Sequence, residues 1–164
     1  MLNLGLPDIK IGNIQPSSKP NFFVGPYIPA GGLAVPEITT TYAGSNVVSF
    51  DAKSIAAGCY VGTNNGAAAP AMGCTIRFTG VKAVTGPDVI FDFAFIVGPQ
   101  NLIGISLPPV QVQKVVFPPT FKGLKSLKPK VIDPALPVIT GMDRSIKTVQ
   151  MGLDDFAYTA YIKN

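Results

Sequence analysis

The sequence predicts an all-β protein, a jelly-roll-like antiparallel β-sandwich, and three observations lead to this class. Seventeen glycines and sixteen prolines interrupt a chain of 164 residues, which leaves little room for long helices. Short apolar or β-branched runs recur between these breaks. One run alternates strictly between two faces, as a half-buried strand does. Regularly spaced short strands with Gly and Pro turns are typical of a sandwich or a barrel.

The length fits one domain, because domains usually have about 100–200 residues. We therefore assign residues 1–164 to a single β-sandwich domain, in which residues 1–20 form a loosely packed N-terminal segment. Within the proline-rich first part, Ile9–Ile14 is interpreted as an edge strand, and residues 22–24 and 27–28 as short extended pieces.

The clearest prediction is a β-hairpin. The segment 74–84 alternates up to the turn Thr85-Gly86-Pro87-Asp88, and a second strand follows at 89–97. In that second strand Phe91, Phe93 and Phe95 share one face, so we expect them to face a core between two sheets. Three further strands are expected at 46–51, at 110–113 and at 153–162, where the chain ends on alternating aromatic and small residues.

The two cysteines, Cys59 and Cys74, flank a segment of small residues. The chain has no histidine and no CxxC motif, so a zinc site is excluded. The alternatives are a disulfide and two buried thiols, and the disulfide is favoured because the intervening segment resembles a surface excursion that needs a cross-link. A disulfide indicates an oxidising compartment and therefore a secreted protein. No signal peptide precedes the first strand, so Met1 is interpreted as an expression start on a mature sequence.

Composition excludes several functions. Without histidine there is no Ser-His-Asp or Cys-His chemistry, and the scattered carboxylates suggest no catalytic pair, so we predict that the protein is not an enzyme. A net charge of +4 is too small for the dense basic face of a nucleic-acid partner. The apolar stretch 89–110 is long enough to span a membrane, but Gly98-Pro99 breaks it and its first half alternates, so integral membrane insertion is not expected.

Four segments follow one another in a distinctive order: Ser49–Tyr60, Gly73–Gly80, Phe121–Leu127 and Leu153–Thr159. Together they resemble a group of small secreted fungal proteins of unassigned function, over about residues 25–162. The resemblance implies a sandwich of the galactose-binding type, the architecture of many carbohydrate-binding modules, and it supports both secretion and the disulfide. The chain departs from the pattern at Lys128-Pro129-Lys130 and in the Pro-rich stretch 133–152.

The resemblance also implies a candidate metal site. In such modules an acidic residue at the start of the last strand often holds a structural calcium, and here Asp154 and Asp155 occupy that place. Asp8 would add a carboxylate if the terminal strands pair, since calcium takes six to eight oxygens. The alternative, a solvated strand start, is favoured over calcium binding.

A sugar-binding face needs exposed aromatic rings beside hydrogen-bonding groups. The chain has no tryptophan and five tyrosines. Tyr60 leads into a loop that contains Asn64 and Asn65, so we predict Tyr60 as the stacking surface and the two amides as hydrogen-bonding groups. The alternative is that Tyr60 packs inward as part of a strand.

Five lysines form a basic cluster within a short stretch: Lys114, Lys122, Lys125, Lys128 and Lys130. They indicate either an anionic polymer or lipid headgroup as a partner, or an edge strand that lysines protect from pairing. The second interpretation is favoured.

These observations favour a secreted, non-catalytic protein that recognises a polysaccharide or another cell-surface glycan or polymer. The rival hypothesis is a secreted effector or structural protein that acts through protein–protein interaction. A glycan array separates the two, because only the first predicts a signal that saccharides inhibit.

Overall fold

The structure, a computed structural model, describes residues 14–15, 23–26, 36–62, 71–97, 110–134 and 148–163. Within these ranges the regular secondary structure is entirely β, which confirms the all-β class, while the jelly-roll-like sandwich stays a prediction. The strands are β1 (Ile14–Gln15), β2 (Phe23–Pro26), β3 (Ile38–Thr39), β4 (Val47–Gly62), β5 (Cys74–Lys82), β6 (Val89–Phe95), β7 (Val110–Gln111), β8 (Gln113–Val116), β9 (Leu124–Pro134) and β10 (Thr148–Ile162).

Eight of these strands form one antiparallel sheet. Its main path runs β2-β10-β4-β9-β5-β6, with β3 paired to β9 and β8 paired to β4. The remaining two, β1 and β7, form a short parallel pair. The predicted antiparallel order is therefore confirmed for the sheet that contains most of the described chain.

The longest ladder joins β4 to β10, from Thr148 opposite Gly62 to Ile162 opposite Val47. The sequence predicted only residues 46–51 of β4, because the following small residues carry no strand signal. Their size has a structural reason at Gly58, where an added Cβ would lie 3.1 Å from Cζ of Phe95 on β6. Small side chains thus allow two parts of the sheet that are not neighbours to approach each other closely.

The sheet curls around one core. β4 and β9 share a single residue pair, Phe50 with Leu124, and β4 then continues between β10 and β8. The inner faces on both sides of this junction contribute to one hydrophobic cluster that includes Ile55, Phe78 and Phe95. The core therefore lies inside the curl. The opposite face is exposed along β6, whereas residues 55–60 of β4 are buried on both faces.

The disulfide is confirmed: the sulfur atoms of Cys59 and Cys74 are 2.01 Å apart, and the described residues contain no free cysteine. It links β4 to β5, which are not hydrogen-bonded neighbours in the sheet. Both cysteines are buried. The cross-link therefore holds the start of β5 against β4, beside the hydrogen bond of 2.9 Å from the N–H of Met72 to the carbonyl of Cys59, and it closes the loop between them.

The hairpin prediction is also confirmed, with β5 and β6 paired from Cys74–Phe95 to Gly80–Val89. On β6 the three phenylalanines belong to the core side, while Ile90 and Asp92 are exposed. Phe95 is wholly buried, with its ring against Gly58 of β4, whereas Phe91 and Phe93 are only partly buried on this terminal strand of the sheet.

The other predicted strands at 110–113 and 153–162 correspond to β7 with β8 and to β10. Most of Ile9–Ile14, residues 27–28, and most of the N-terminal segment 1–20 lie outside the described residues. In the part of the chain that the structure describes, no helix has the length and apolarity required to cross a membrane.

Candidate functional site

Tyr60, the predicted stacking residue, lies in the core. It pairs with Gln150 of β10, its side chain is 1% exposed, and this burial raises the pKa of its hydroxyl. The ring therefore offers no face to a ligand, and the alternative of an inward-packed Tyr60 is the one that the structure supports. Asn64 and Asn65 lie outside the described residues.

The predicted metal residues differ from each other in position. Asp154 is buried, and its Oδ1 accepts a hydrogen bond of 2.9 Å from the backbone N–H of Asp155. Asp155 is exposed, with a φ of 48°, at an irregularity in the pairing of β10 with β4. The described ranges contain no group of three or more candidate metal ligands, and Asp8 lies outside them.

A cleft on the outer face is built around Asp51 of β4. Phe50 and Ala52 on either side point into the core, so strand alternation directs Asp51 outward. Its Oδ1 accepts a hydrogen bond of 2.8 Å from the N–H of Gly123, and its Oδ2 accepts one of 2.8 Å from the hydroxyl of Tyr161. Asp51 thus connects β4 with the last strand and with the loop that precedes β9.

These contacts hold Asp51 as a carboxylate. The Gly123 N–H is the largest cause of its lowered pKa, the Tyr161 hydroxyl and the charges of Lys122 and Lys53 act in the same direction, and desolvation opposes them. The carboxyl group is therefore ionised over the usual pH range and serves as a hydrogen-bond acceptor rather than a proton donor.

The loop 117–123 forms the wall of this cleft, and backbone hydrogen bonds fix it at both ends. Phe117 donates to the carbonyl of Lys53 at 3.0 Å, and Ala52 donates to the carbonyl of Phe121 at 2.9 Å. Gly123 has a φ of 62°, a left-handed conformation that suits glycine and turns its N–H toward Asp51.

A lysine on β5 closes the same loop from the other side. The ammonium group of Lys82 donates to the carbonyl oxygens of Thr120 at 2.6 Å and of Lys122 at 2.7 Å. The resulting cleft has a volume of about 410 Å³, and it is lined by Asp51, Ala52, Lys53, Phe117, Pro118, Pro119 and Lys122. Its shape is thus set by interactions within the protein.

A second, wider groove lies beside Tyr42. Its volume is about 620 Å³, and its lining residues are Thr40, Thr41, Tyr42, Ala43, Ser45, Val47, Val48, Ala83 and Lys125. The Tyr42 side chain is 61% exposed. The Thr40 hydroxyl donates to the carbonyl of Lys125 at 3.3 Å, and the Thr40 N–H donates to the same oxygen at 2.9 Å, which fixes this segment on β9.

The two depressions are neighbours, because Lys122 lines the cleft and Lys125 lines the groove. Three residues of chain span at most about 10 Å. The combined region presents a tyrosine ring, several hydroxyl groups and lysine ammonium groups. We call it the Tyr42–Lys122 surface, defined by the lining residues of the groove and the cleft.

The predicted basic cluster is divided by the fold. Lys122 and Lys125 belong to the Tyr42–Lys122 surface, whereas Lys114 is exposed on β8. Lys128 lies 3.6 Å from a carboxylate oxygen of Glu37, and Lys130 is the register partner of Arg77. The interpretation as an edge strand is wrong for the start of β9, which pairs with β4 at Leu124 and with β3 at Ser126 and Leu127. Along Lys128 and Lys130 the described pairings of β9 are with β5 alone, as in an edge strand.

Sequence reasoning missed Asp51, Lys53 and Tyr161 as members of one site. Asp51 and Tyr161 are 110 positions apart, and only the pairing of β4 with β10 brings them together. Tyr42 carried a weak signal, since it stands in the polar run Thr39–Ser45. No family model, no curated protein and no solved structure matches this chain.

Proposed function

We propose that this protein is a secreted, non-catalytic binding protein that recognises a saccharide chain through the Tyr42–Lys122 surface. The observation that carries the proposal is the Tyr42 ring, which is largely exposed over an open groove that also presents hydroxyl groups and the Lys125 ammonium group. An exposed aromatic ring offers an apolar face for stacking on a sugar, and adjacent polar groups orient the sugar hydroxyls.

Three features support the proposal. The core disulfide is typical of proteins from oxidising compartments, and thus of secretion. The curled antiparallel sheet with one shared core is consistent with the jelly-roll-like sandwich of carbohydrate-binding modules and of the secreted fungal proteins that the sequence resembles. The carboxylate of the cleft, Asp51, is committed to two hydrogen bonds, which favours a role in binding over one in acid catalysis.

A glycan array followed by calorimetry on the strongest ligand tests this function. Tyr42→Ala should abolish saccharide binding while the melting temperature stays unchanged, because the ring is mainly in solvent. Tyr42→Phe should retain most of the binding, since the stacking face remains.

The matched control is Tyr158→Ala. Tyr158 is also an exposed tyrosine, but it lines neither depression, and its ring stacks on Phe156 and lies near Phe50. This variant should bind saccharide normally. An array without any signal that saccharides inhibit, or normal binding by Tyr42→Ala, would refute the proposed site.

A second candidate function is binding to another protein, and one observation favours it. Ile90 is exposed on the face of β6 opposite the core, and Ile96 is exposed directly after the end of β6. In this case the glycan array should give no signal, and Ile90→Asp rather than Tyr42→Ala should abolish binding to the partner protein.

A further inference from the structure

The cleft beside the Tyr42 groove carries more positive than negative charge. Lys53 and Lys122 line it together with one carboxylate, Asp51. Among the residues that the structure describes, Lys53 and Lys122 lie beyond salt-bridge distance of any carboxylate. Lys128 and Arg77, in contrast, each form an ion pair with a carboxylate. The cleft therefore has ammonium groups whose charge is not neutralised by a direct ion pair.

The single carboxylate does not make the cleft suitable for a cation. One oxygen of Asp51 is occupied by the Gly123 N–H and the other by the Tyr161 hydroxyl. Its charge acts on Lys53 and Lys122 but balances only one of the two ammonium groups. The cleft therefore keeps one net positive charge to interact with a ligand.

The wall of the cleft is held in place before any ligand arrives. Lys82 donates hydrogen bonds to two carbonyl oxygens of the loop, and the backbone of β4 is hydrogen-bonded to the backbone of both Phe117 and Phe121. Two prolines, Pro118 and Pro119, further restrict this wall. A preformed site loses less conformational entropy on binding than a flexible one.

We propose that the cleft binds the acidic groups of the saccharide, so that the ligand is a chain with carboxylate or sulfate substituents rather than a neutral glycan. This inference rests on the proposed function, because the same chain would stack on Tyr42. Lys122 lines the cleft and Lys125 lines the groove, three positions apart, so we expect one extended polyanionic chain to contact both lysines. Each exposed ion pair contributes little, and a repeating polymer multiplies that contribution.

The experiment compares oligosaccharides that share a backbone and differ in charge. Calorimetry is carried out with oligogalacturonate and its fully methyl-esterified form, and with a sulfated heparan oligosaccharide and its desulfated, carboxyl-reduced form. We expect the charged member of at least one pair to bind at least about tenfold more tightly at low salt, and this advantage to shrink at high salt because exposed charges are screened.

The variants assign that advantage to the cleft. Lys53→Gln combined with Lys122→Gln should remove the preference for the charged member, so that both members of each pair bind with the same affinity. Lys130→Gln is the matched control, because Lys130 is an exposed lysine that lines neither depression. Inorganic sulfate should compete only weakly, and competition as strong as that of the sulfated oligosaccharide would reduce the cleft to a simple anion site and overturn the inference.

The outcomes separate this inference from the proposed function. If neutral and charged saccharides bind equally and Tyr42→Ala abolishes both, the acidic specificity is wrong and the saccharide function stands. If neither these four ligands nor any saccharide on the array binds, the proposed function fails and the inference fails with it. An unchanged charge preference in the double lysine variant would also overturn the inference.

Discussion

The hydroxyl of Tyr161 donates a hydrogen bond of 2.8 Å to Oδ2 of Asp51, although the two residues are 110 positions apart. The other oxygen of the same carboxylate accepts the N–H of Gly123. Asp51 therefore joins the last strand to the loop that walls the cleft. The geometry of the candidate binding surface depends in this way on the fold of the whole sheet, and not on one local segment.

Removal of this carboxylate should weaken both connections. We expect Asp51→Ala to lower the free energy of unfolding by about 1 kcal/mol, because partly exposed hydrogen bonds to a charged group contribute modestly. Tyr161→Phe, which removes only one bond, should have a smaller effect. Urea denaturation measures both, and a Tyr161→Phe variant less stable than Asp51→Ala would contradict this assignment.

The pH dependence follows from the lowered pKa of Asp51. A carboxyl whose pKa is lower in the folded state stabilises the protein above its ordinary value of 3.8, and this contribution is lost as the pH falls through the folded-state value. The stability difference between the wild type and Asp51→Ala should thus be constant above about pH 5 and shrink towards pH 2. Asp92, whose pKa is lowered by Arg77, also adds to the acid sensitivity of the wild type, so only this difference isolates Asp51.

The disulfide should have a large effect on stability. Cys59 and Cys74 are 15 positions apart, and closing a loop of this size stabilises a protein by about 3 kcal/mol in the chain-entropy model. We expect a loss of that order in the Cys59→Ala/Cys74→Ala double variant. Urea denaturation of this variant and of the wild type in the presence and absence of reductant provides the measurement. Equal stability of oxidised and reduced wild type would show that the bond contributes nothing.

The hairpin was predictable and most of β4 was not, for a physical reason. In β5 and β6 one face is buried and the other is exposed, so the apolar residues alternate. Residues 55–60 of β4 are buried without alternation, and they include the small residues Ala56, Ala57 and Gly58. Pairing with β10 and close contact with Phe95 determine this part of β4, and both depend on residues distant in sequence.

The degree of burial along β6 identifies the phenylalanine that we expect to contribute most to stability. Alternation placed Phe91, Phe93 and Phe95 on one face, but it did not show that only Phe95 is wholly buried. We expect Phe95→Ala to reduce the free energy of unfolding by about 3–5 kcal/mol and Phe93→Ala by less. Ile90→Ala, on the exposed face, should change stability by no more than about 0.5 kcal/mol. Thermal denaturation of the three variants checks this order, and a larger loss for Phe93→Ala would show that the burial along β6 is reversed.

The site was less predictable than the fold. The sequence favoured Tyr60 as the stacking residue because a tyrosine, two amides and a glycine occur together within residues 60–66. The exposure of Tyr60 depends on which other strands cover β4. The sequence pattern does not show this cover, because a strand that is buried on both faces lacks the alternation of apolar and polar residues. Tyr42 and Tyr161, which are exposed, had no comparable cluster of amides around them.

Tyr60 provides a last prediction, because its hydroxyl is buried and has no hydrogen-bond partner among the described residues. A buried polar group without a partner destabilises the folded state. Burial of the apolar ring that carries this hydroxyl stabilises the folded state. We therefore expect Tyr60→Phe to raise the free energy of unfolding by about 1 kcal/mol and Tyr60→Ala to lower it by about 3–5 kcal/mol. Chemical denaturation of both variants, with saccharide binding measured in parallel, is the test.

Tyr60→Phe should bind saccharide like the wild type, since the ring lies in the core and not on the Tyr42–Lys122 surface. A Tyr60→Phe variant destabilised by more than about 1 kcal/mol would mean that the hydroxyl makes a hydrogen bond that contributes to folding.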